Sequence, residues 1–244
     1  MKPSKAIHRL NNLITFFGLR QSIIFLVEWM LRGVMKVRLA EVKTPLLLRP
    51  RSSDILVLWE IFKLGECAVP QDNNLKCIID AGAYAGYSTV YFATHHPDAK
   101  IIAIEPDPEN FSLLCANCSA YANVHPVHAG LWKSSACLRI KNAGVEKWAF
   151  RLIETDQPAA DTIKGVTIPD LMKQFGVGRI DILKLDIEGA EAGLFSSGFE
   201  AWLDKVGTIV VETHSQAAKD ALLKATNNRG FKAHLQGEKT VLTR

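Results

Sequence analysis

The chain has 244 residues, 48% of them hydrophobic and 22% charged, which is enough apolar material for one large α/β core or two small domains. In the apolar N-terminal region the longest charge-free stretch, between Arg9 and Arg20, has ten residues, which excludes a membrane-spanning helix of ~20 residues there. The five cysteines are scattered and odd in number, which excludes a disulfide framework and indicates a reducing cytoplasm.

The N-terminal region carries most of the positive charge. Residues 1–51 contain ten Lys or Arg and two acids, a net charge of +8, so the overall charge of +4 leaves −4 for residues 52–244. We therefore predict two parts: residues 1–52 form a basic, apolar helical extension with a short strand, and residues 53–244 form one α/β domain. The first apolar stretch lacks a small-residue cleavage site, so we expect no signal peptide.

Residues 6–35 are predicted to be helical, with an unusually apolar surface. We favour a helix that docks on the α/β domain or forms a dimer contact. The alternative is an interfacial helix on anionic lipid, through which a cytoplasmic protein would contact a membrane peripherally.

The α/β domain is predicted to begin with a helix that starts at Ser53 or Asp54 and ends at Gly65. Residues 77–79 are continuously apolar, which is typical of a strand buried on both faces of a sheet, and residues 88–93 indicate a helix. Further strands are predicted at residues 100–104, 124–131, 180–186 and 208–212, and a short extended piece at 166–168. Hairpins at the sheet edge are predicted from residues 137–140 with 148–153 and from residues 231–236 with 239–242. Two helices are predicted to be capped by Asp107 and Ser215, and a third to start at Pro169. This alternation predicts a mostly parallel, doubly wound sheet with a C-terminal antiparallel hairpin.

A glycine turn follows the first buried strand. Its spacing, Gly82-x-x-x-Gly86, differs from the G-x-G-x-x-G of dinucleotide sites, and Asp80 would repel a pyrophosphate. A ligand with an ammonium and a sulfonium would tolerate that carboxylate, so the turn favours S-adenosylmethionine over NAD. A nicotinamide oxidoreductase remains a weaker alternative, and so does a purely structural turn.

Four predicted central strands end in carboxylates, at the sheet edge where ligands of open α/β sheets bind. The residues are Asp80, Glu105, Asp186 with Glu188, and Glu212. Glu105 lies one strand beyond the glycine turn, where a carboxylate can accept both ribose hydroxyls. Either acid alone could equally be a solvated helix cap.

The stretch from Asp181 to Glu191 carries a lysine inside a predicted central strand. Lys184 needs a nearby carboxylate if it is buried, and Glu212 on the next strand is the expected partner. This pair could be structural or could bind substrate. Asp186 and Glu188, at the strand end, are stronger functional candidates.

No spacing of His, Cys and carboxylates in the sequence demands a metal, so no metal site is predicted. Cys115 and Cys118 form a C-x-x-C pair, but they share an apolar helix face and lack a second pair. Core packing explains them better than a metal or redox role.

Several motifs together resemble the FkbM family of S-adenosylmethionine-dependent methyltransferases. They are Asp80-Ala-Gly-Ala-Tyr-Ala-Gly86, Glu105-Pro106, Leu183-Lys-Leu-Asp-Ile-Glu-Gly-Ala-Glu191 and Val211-Glu-Thr-His214. The resemblance implies a class I (Rossmann-like) methyltransferase fold for residues 53–244. It also implies methyl transfer from S-adenosylmethionine to a hydroxyl of a small-molecule, sugar or glycolipid acceptor.

The residues that we expect to contact S-adenosylmethionine are Asp80, Gly82, Ala83, Gly86, Tyr87, Ser88, Glu105, Pro106 and Asp186. A base then removes the acceptor proton. Asp186, Glu188 and His214 are the candidates, and His214 ranks first because imidazole titrates near neutral pH.

Two alternatives from other classes remain. A nucleic-acid N-methyltransferase would typically carry an Asn/Asp-Pro-Pro-aromatic turn where this chain has Asp186-Ile-Glu-Gly, so no nucleic-acid partner is expected. A non-catalytic membrane- or partner-binding module with a vestigial nucleoside pocket would explain the basic, apolar N-terminal region.

Overall fold

A computed structural model of the chain describes residues 34–50, 52–69, 74–141, 151–157 and 159–244. Its strands are β1 (Met35–Val37), β2 (Leu46–Leu48), β3 (Cys77–Ala81), β4 (Lys100–Glu105), β5 (Val124–His128), β6 (Gly130–Leu131), β7 (Cys137–Ile140), β8 (Leu152–Glu154), β9 (Ile163–Val166), β10 (Ile180–Leu185), β11 (Val206–Val211), β12 (Lys232–Gln236) and β13 (Lys239–Thr243). Its α-helices are α1 (Asp54–Phe62), α2 (Tyr87–His95), α3 (Pro108–Cys118), α4 (Ile168–Phe175), α5 (Glu191–Leu194) and α6 (Gln216–Thr226), and residues 199–201 and 203–205 form short 3₁₀ turns.

The main sheet has seven strands in the order β12-β13-β11-β10-β3-β4-β5. The five strands from β11 to β5 run parallel, whereas β13 is antiparallel to both β11 and β12. The predicted mostly parallel sheet with a C-terminal antiparallel hairpin is confirmed.

Residues of the central strands alternate between two apolar cores. Ile78 and Ile101 lie in a core shared with α1, α2 and α3, whereas their neighbours Ile79 and Ile102 lie in a core shared with α4 and α6. Because both faces of these strands are covered, the strands are mostly apolar, apart from buried charges such as Asp80 and Lys184. Cys118 is buried in the first core, as its place on an apolar helix face predicts.

A smaller four-stranded sheet, ordered β6-β9-β7-β8, lies beyond β5. The prediction of one strand over residues 124–131 is wrong, because the chain leaves the main sheet after β5 and β6 pairs with β9 instead. The predicted antiparallel hairpin is present as β7 and β8, with Ile140 opposite Leu152. Its predicted turn at residues 142–144 lies outside the described residues.

Most of the predicted helix at residues 6–35 lies outside the described residues, and its last residue, Met35, begins β1 instead. The β1–β2 pair packs on the domain: Leu46 and Leu48 are fully buried, and the Tyr87 hydroxyl donates to the Leu47 carbonyl at 3.0 Å. Residues 34–50 thus share a core with α2 and α3, and a domain boundary at residue 52 stays a prediction.

Helix starts follow the local capping signals. The Asp107 side chain accepts the N–H groups of Glu109 and Asn110, and Thr167 and Asp170 form a reciprocal capping box at α4. Ser215 caps α6 as predicted. Within the described ranges no helix is long and apolar enough to span a bilayer.

Candidate active site

A cavity of about 250 Å³ lies at the carboxyl ends of the central parallel strands. The turn between β3 and α2, the end of β4, the loop after β10 and the end of β11 form its walls, together with α1 and the β12–β13 turn. Of the predicted site residues, those that line it are Gly82, Ala83, Tyr87, Ser88, Glu105, Pro106, Lys184, Asp186, Glu188 and Glu212. Asp80, Gly86 and His214 are not among the described lining residues.

Gly82 is required because two backbone segments meet at the glycine turn. It has a φ of +74°, and a Cβ at this position would lie 1.8 Å from the carbonyl oxygen of Asp186. Gly86 has a φ of +87°, and its Cβ would lie 2.8 Å from Leu114. The glycines therefore permit close packing of the protein on itself, in addition to the predicted approach of a ligand.

Asp80 is an internal residue that is not among the described lining residues of the cavity, and its direct contact with the cofactor stays a prediction. Its carboxylate is fully buried and accepts hydrogen bonds from the hydroxyls of Ser88 and Thr89, each at 2.7 Å. Asp80 acts on the cavity indirectly, because it holds Ser88, which does line the cavity.

The predicted pairing of Lys184 with Glu212 is also wrong. The Lys184 ammonium lies 3.0 Å from Asp80 and donates to the Gly82 carbonyl at 2.9 Å. The two residues stand directly opposite each other in the β3–β10 register. Burial lowers the pKa of Lys184, but the charges of Asp80, Asp186 and other nearby groups together outweigh it, so the net shift of the Lys184 pKa is upward.

Glu212 pairs with a residue that the sequence analysis missed. Lys239, on β13, lies 2.7 Å from Glu212, 3.5 Å from Glu66 and 3.6 Å from Asp186. Its side chain is almost fully buried and lines the cavity. The sequence does contain one signal for it: in the predicted strand at residues 239–242, the alternation of side chains places Lys239 on the same face as Val241.

Glu105 lies at the end of β4 with 5% of its surface exposed. It accepts hydrogen bonds from the N–H groups of Tyr84 at 2.8 Å and Asp107 at 3.0 Å, and from the Asn110 side chain at 3.2 Å. Burial raises the pKa of Glu105 to about 7 in spite of these donors. The carboxylate is thus fixed in orientation and retains acceptor capacity toward the cavity.

The glycine turn is also held through Tyr84, whose hydroxyl contacts the buried carboxylate of Asp54. The Tyr84 hydroxyl donates to Asp54 at 2.5 Å, and Arg49 pairs with the same carboxylate at 2.8 Å. Arg49 also donates to Asn110 at 2.6 Å, which in turn contacts Glu105. This network joins β2, α1 and α3 to the cavity, and the sequence analysis did not foresee it.

His214 lies in a ring of carboxylates. Its Nδ1 is 2.8 Å from Glu191, and its Nε2 is 3.4 Å from Glu188, 3.6 Å from Glu212 and 3.8 Å from Asp186. The strand-end motifs predict Asp186, Glu188, Glu212 and His214 at one sheet edge, and the structure brings them together.

The prediction of His214 as the base on pKa grounds is wrong. Burial alone would lower its pKa, but its interactions with Glu188 and Glu191 dominate and raise the pKa to about 10. With this pKa the imidazole is a poor general base at neutral pH.

The comparison with known families agrees with the motifs. The profile of the Methyltransferase FkbM domain matches residues 80–233, which include the glycine turn, Glu105, the Lys184–Glu191 stretch and His214.

Individual relatives share part of their length with the chain. Methyltransferase sdnD of Sordaria araneosa is 27% identical over 169 residues, covering 56% of this chain and 65% of that protein. Hexuronic acid methyltransferase AglP of Haloferax volcanii is 27% identical over 118 residues, covering 48% of each. The chain thus spans between about half and two thirds of these relatives.

The fold is shared with a solved structure. The crystal structure of methyltransferase FkbM from Methylobacillus flagellatus KT superposes with a TM-score of 0.54 at 13% identity, covering 76% of this chain and 48% of that one. At this identity the likeness establishes the class I fold alone. With a profile match over more than half of its residues and this fold, the chain belongs to the FkbM family of methyltransferases.

Proposed function

We propose that the protein transfers the methyl group of S-adenosylmethionine to a hydroxyl of a neutral, hydroxyl-rich small molecule or sugar, glycolipids included. The observation that carries the proposal is Glu105, a buried carboxylate oriented by three donors at the end of β4, beside the glycine turn. A carboxylate in this place can accept both hydroxyls of a ribose, which fits a nucleoside cofactor.

The cofactor would be held by the glycine turn and the two strand ends that flank it. Glu105 would bind the ribose, Gly82 to Ser88 would enclose the sugar and methionine portions, and Asp186 would face the cationic end. S-adenosylmethionine supplies a methyl group already activated by its sulfonium, so the protein has to align an acceptor oxygen and remove its proton.

Asp186 and Glu188 are the groups best placed to bind the acceptor hydroxyl. Both line the cavity at the end of β10, and both are ordered by contacts with neighbouring cations. As the new carbon–oxygen bond forms and the carbon–sulfur bond breaks, the hydroxyl proton leaves toward these carboxylates.

The charge of the cavity supports a neutral acceptor. Seven carboxylates line it, against two ammonium groups. The acids are Glu60, Glu66, Glu105, Asp186, Glu188, Glu212 and Glu238, and the lysines are Lys184 and Lys239. An acceptor with its own carboxylate or phosphate would be repelled. We therefore expect a different acceptor from the hexuronic acid in the name of the Haloferax volcanii relative.

The test is isotope-labelled methyl transfer from S-adenosylmethionine to a cell extract separated into lipid, neutral sugar, anionic sugar and nucleic-acid fractions. Label should enter a neutral hydroxylic fraction, and the carbon chemical shift of the labelled methyl should show an O-methyl group. Glu188→Gln should abolish the transfer and keep binding of S-adenosylhomocysteine. N-methyl label in nucleic acid, or calorimetry in which S-adenosylhomocysteine does not bind, would overturn the proposal.

A further inference from the structure

The acidic ring around His214 has the dimensions of a cation site. One ligand atom each of Asp186, Glu188 and His214 lies within 4.8 Å of the others. The His214 Nε2 is 3.4 Å from Glu188 and 3.8 Å from Asp186. Ligands at about 2.1 Å from a metal are about 3.0 Å apart in octahedral and about 3.4 Å apart in tetrahedral geometry. A small inward movement would therefore complete a coordination sphere.

The orientation of the imidazole points to the same conclusion. An ionised carboxylate only accepts, so Nδ1 carries the proton that is donated to Glu191, whose side chain is fully buried. The opposite nitrogen, Nε2, is buried and has no hydrogen-bond partner among the described residues. Carboxylate–histidine–metal triads have this arrangement, in which the carboxylate fixes the ring so that the other nitrogen faces the ion.

The pattern of distances differs from that of a hydrogen bond. A full charge-assisted hydrogen bond from Nε2 would place one oxygen at about 2.8 Å, and a bound cation would take the place of any proton on this nitrogen. Instead three carboxylate oxygens surround the nitrogen at 3.4, 3.6 and 3.8 Å, from Glu188, Glu212 and Asp186. This is the arrangement expected of several ligands directed at a common centre.

The balance of charge also leaves room for a cation. Four carboxylates lie within 4 Å of the His214 ring. Lys239 neutralises part of this charge through Asp186 and Glu212. Two of the candidate ligands, Asp186 and Glu188, also line the cavity, so a bound ion would keep coordination positions open toward an acceptor.

We propose that Asp186, Glu188 and His214 bind a divalent transition-metal cation beside the acceptor cavity, with Glu191 as the residue that orients His214. Two carboxylate oxygens and one imidazole nitrogen suit Mn²⁺ or Zn²⁺ better than Mg²⁺ or Ca²⁺. On the proposed function, the ion would hold the acceptor hydroxyl and make its proton easier to remove. Residue spacing alone does not indicate this site, because His214 meets Asp186 and Glu188 only through the fold.

The test titrates Mn²⁺ alone into the full chain after chelation and desalting, with the unbound ion followed by electron paramagnetic resonance. One saturable Mn²⁺ per chain is expected. His214→Ala should abolish binding, and Glu191→Gln should weaken it about 10- to 100-fold. Glu60→Gln removes another cavity acid outside the ring and should bind Mn²⁺ as the parent does. Loss of an equal extent in Glu60→Gln, or undiminished binding by His214→Ala, would overturn the proposal.

A measurement on the unmutated chain covers the case in which the variants fail to fold. Pulsed electron paramagnetic resonance of the Mn²⁺-loaded protein should show coupling to one imidazole nitrogen, and its absence would contradict the assignment. Neither measurement uses S-adenosylhomocysteine. Binding of that nucleoside without binding of Mn²⁺ would therefore reject the metal site and leave the proposed methyl transfer standing.

Discussion

Single residues around the cavity act mainly by fixing other residues. Asp80 orients Ser88, Glu191 orients His214, and Asn110 contacts Glu105. Only part of this set meets the cavity, since Asp80 and Glu191 are fully buried. The effect of a substitution therefore depends on what the side chain holds, and two residues give clear predictions.

Glu105 should make nucleoside binding depend on pH. Its pKa is raised to about 7, chiefly by burial, and only the ionised carboxylate can accept from both ribose hydroxyls. The affinity for S-adenosylhomocysteine should therefore rise from pH 6 to pH 8, by up to about tenfold. Calorimetry at both pH values measures it. Glu105→Gln should bind more weakly and with a flat profile between these values, and a parental slope in that variant would contradict the assignment.

Gly82 should not tolerate even a methyl group. The added Cβ would lie 1.8 Å from the Asp186 carbonyl, at a backbone φ of +74°. Gly82→Ala should lower the free energy of unfolding by about 3 kcal/mol or more, as measured by denaturant titration. The matched control is Gly178→Ala, because a Cβ there meets nothing within 4 Å. Its effect should stay within about 1 kcal/mol, and equal losses in both variants would refute the steric argument.

At the scale of elements, β3 and β10 are joined by the buried ion pair of Asp80 and Lys184 as well as by their backbone ladder. The side chains are 0% and 4% exposed, so little water is available to either charge if its partner is lost. Removing one charge of such a pair typically costs more than the pair itself contributes.

Lys184→Met should therefore destabilise the protein by about 3–5 kcal/mol, because a buried carboxylate loses its counterion. The double variant Asp80→Asn/Lys184→Met should recover a substantial part of that loss. Chemical denaturation of the four members of this cycle measures the coupling directly. Strictly additive losses would show that the two charges do not depend on each other.

Elements were predictable wherever the signal is local. The apolar run at residues 77–79 and the caps Asp107 and Ser215 identify strands and helices by themselves. The break between β5 and β6 was missed, because the sequence there stays extended and the change of sheet depends on pairing with β9. The partner of Lys184 was predicted wrongly for a similar reason. Two carboxylates, Asp80 and Glu212, follow from the strands on either side of β10, and only the register of β3 with β10 selects Asp80.

The location of the candidate site at the strand ends was predictable from the sequence, whereas the contacts of its individual residues were less so. Glu105, Asp186 and Glu188 line the cavity as strand-end logic requires. The environment of His214 could not be predicted, since its pKa depends on Glu188 and Glu191, which belong to a different segment of the chain. Lys239 was not predicted because it comes from the antiparallel hairpin and not from the carboxyl end of a parallel strand.

For the whole molecule, two acids with raised pKa values, Glu60 and Glu105, should contribute to how stability changes with pH. Burial, and after it the charge of Glu66, raises the pKa of Glu60 to about 7, the same value as for Glu105. An acid with a raised pKa in the folded state favours folding most when protonated. Its contribution is complete below the ordinary pKa of 4.5 and is lost as the pH rises through about 7.

The melting temperature should accordingly fall between pH 5 and pH 8 by more in the parent chain than in Glu60→Gln, whose amide does not titrate. Thermal unfolding followed by circular dichroism at both pH values provides the comparison. Glu200→Gln is a suitable control, because Glu200 is an exposed acid that does not line the cavity, and its melting temperature should fall as that of the parent does. Identical pH dependence in Glu60→Gln would show that its carboxyl titrates normally.

The charge pair between β3 and β10 also constrains how the gene can change. Substitution of Asp80 or Lys184 alone leaves an unpaired charge in the interior. Substitution of both by apolar or amide side chains of similar volume would be tolerated far better. Over descent, positions 80 and 184 should therefore be kept together or replaced together. Lineages that carry one member of the pair without the other should be rare, or should show a compensating cation or acid nearby.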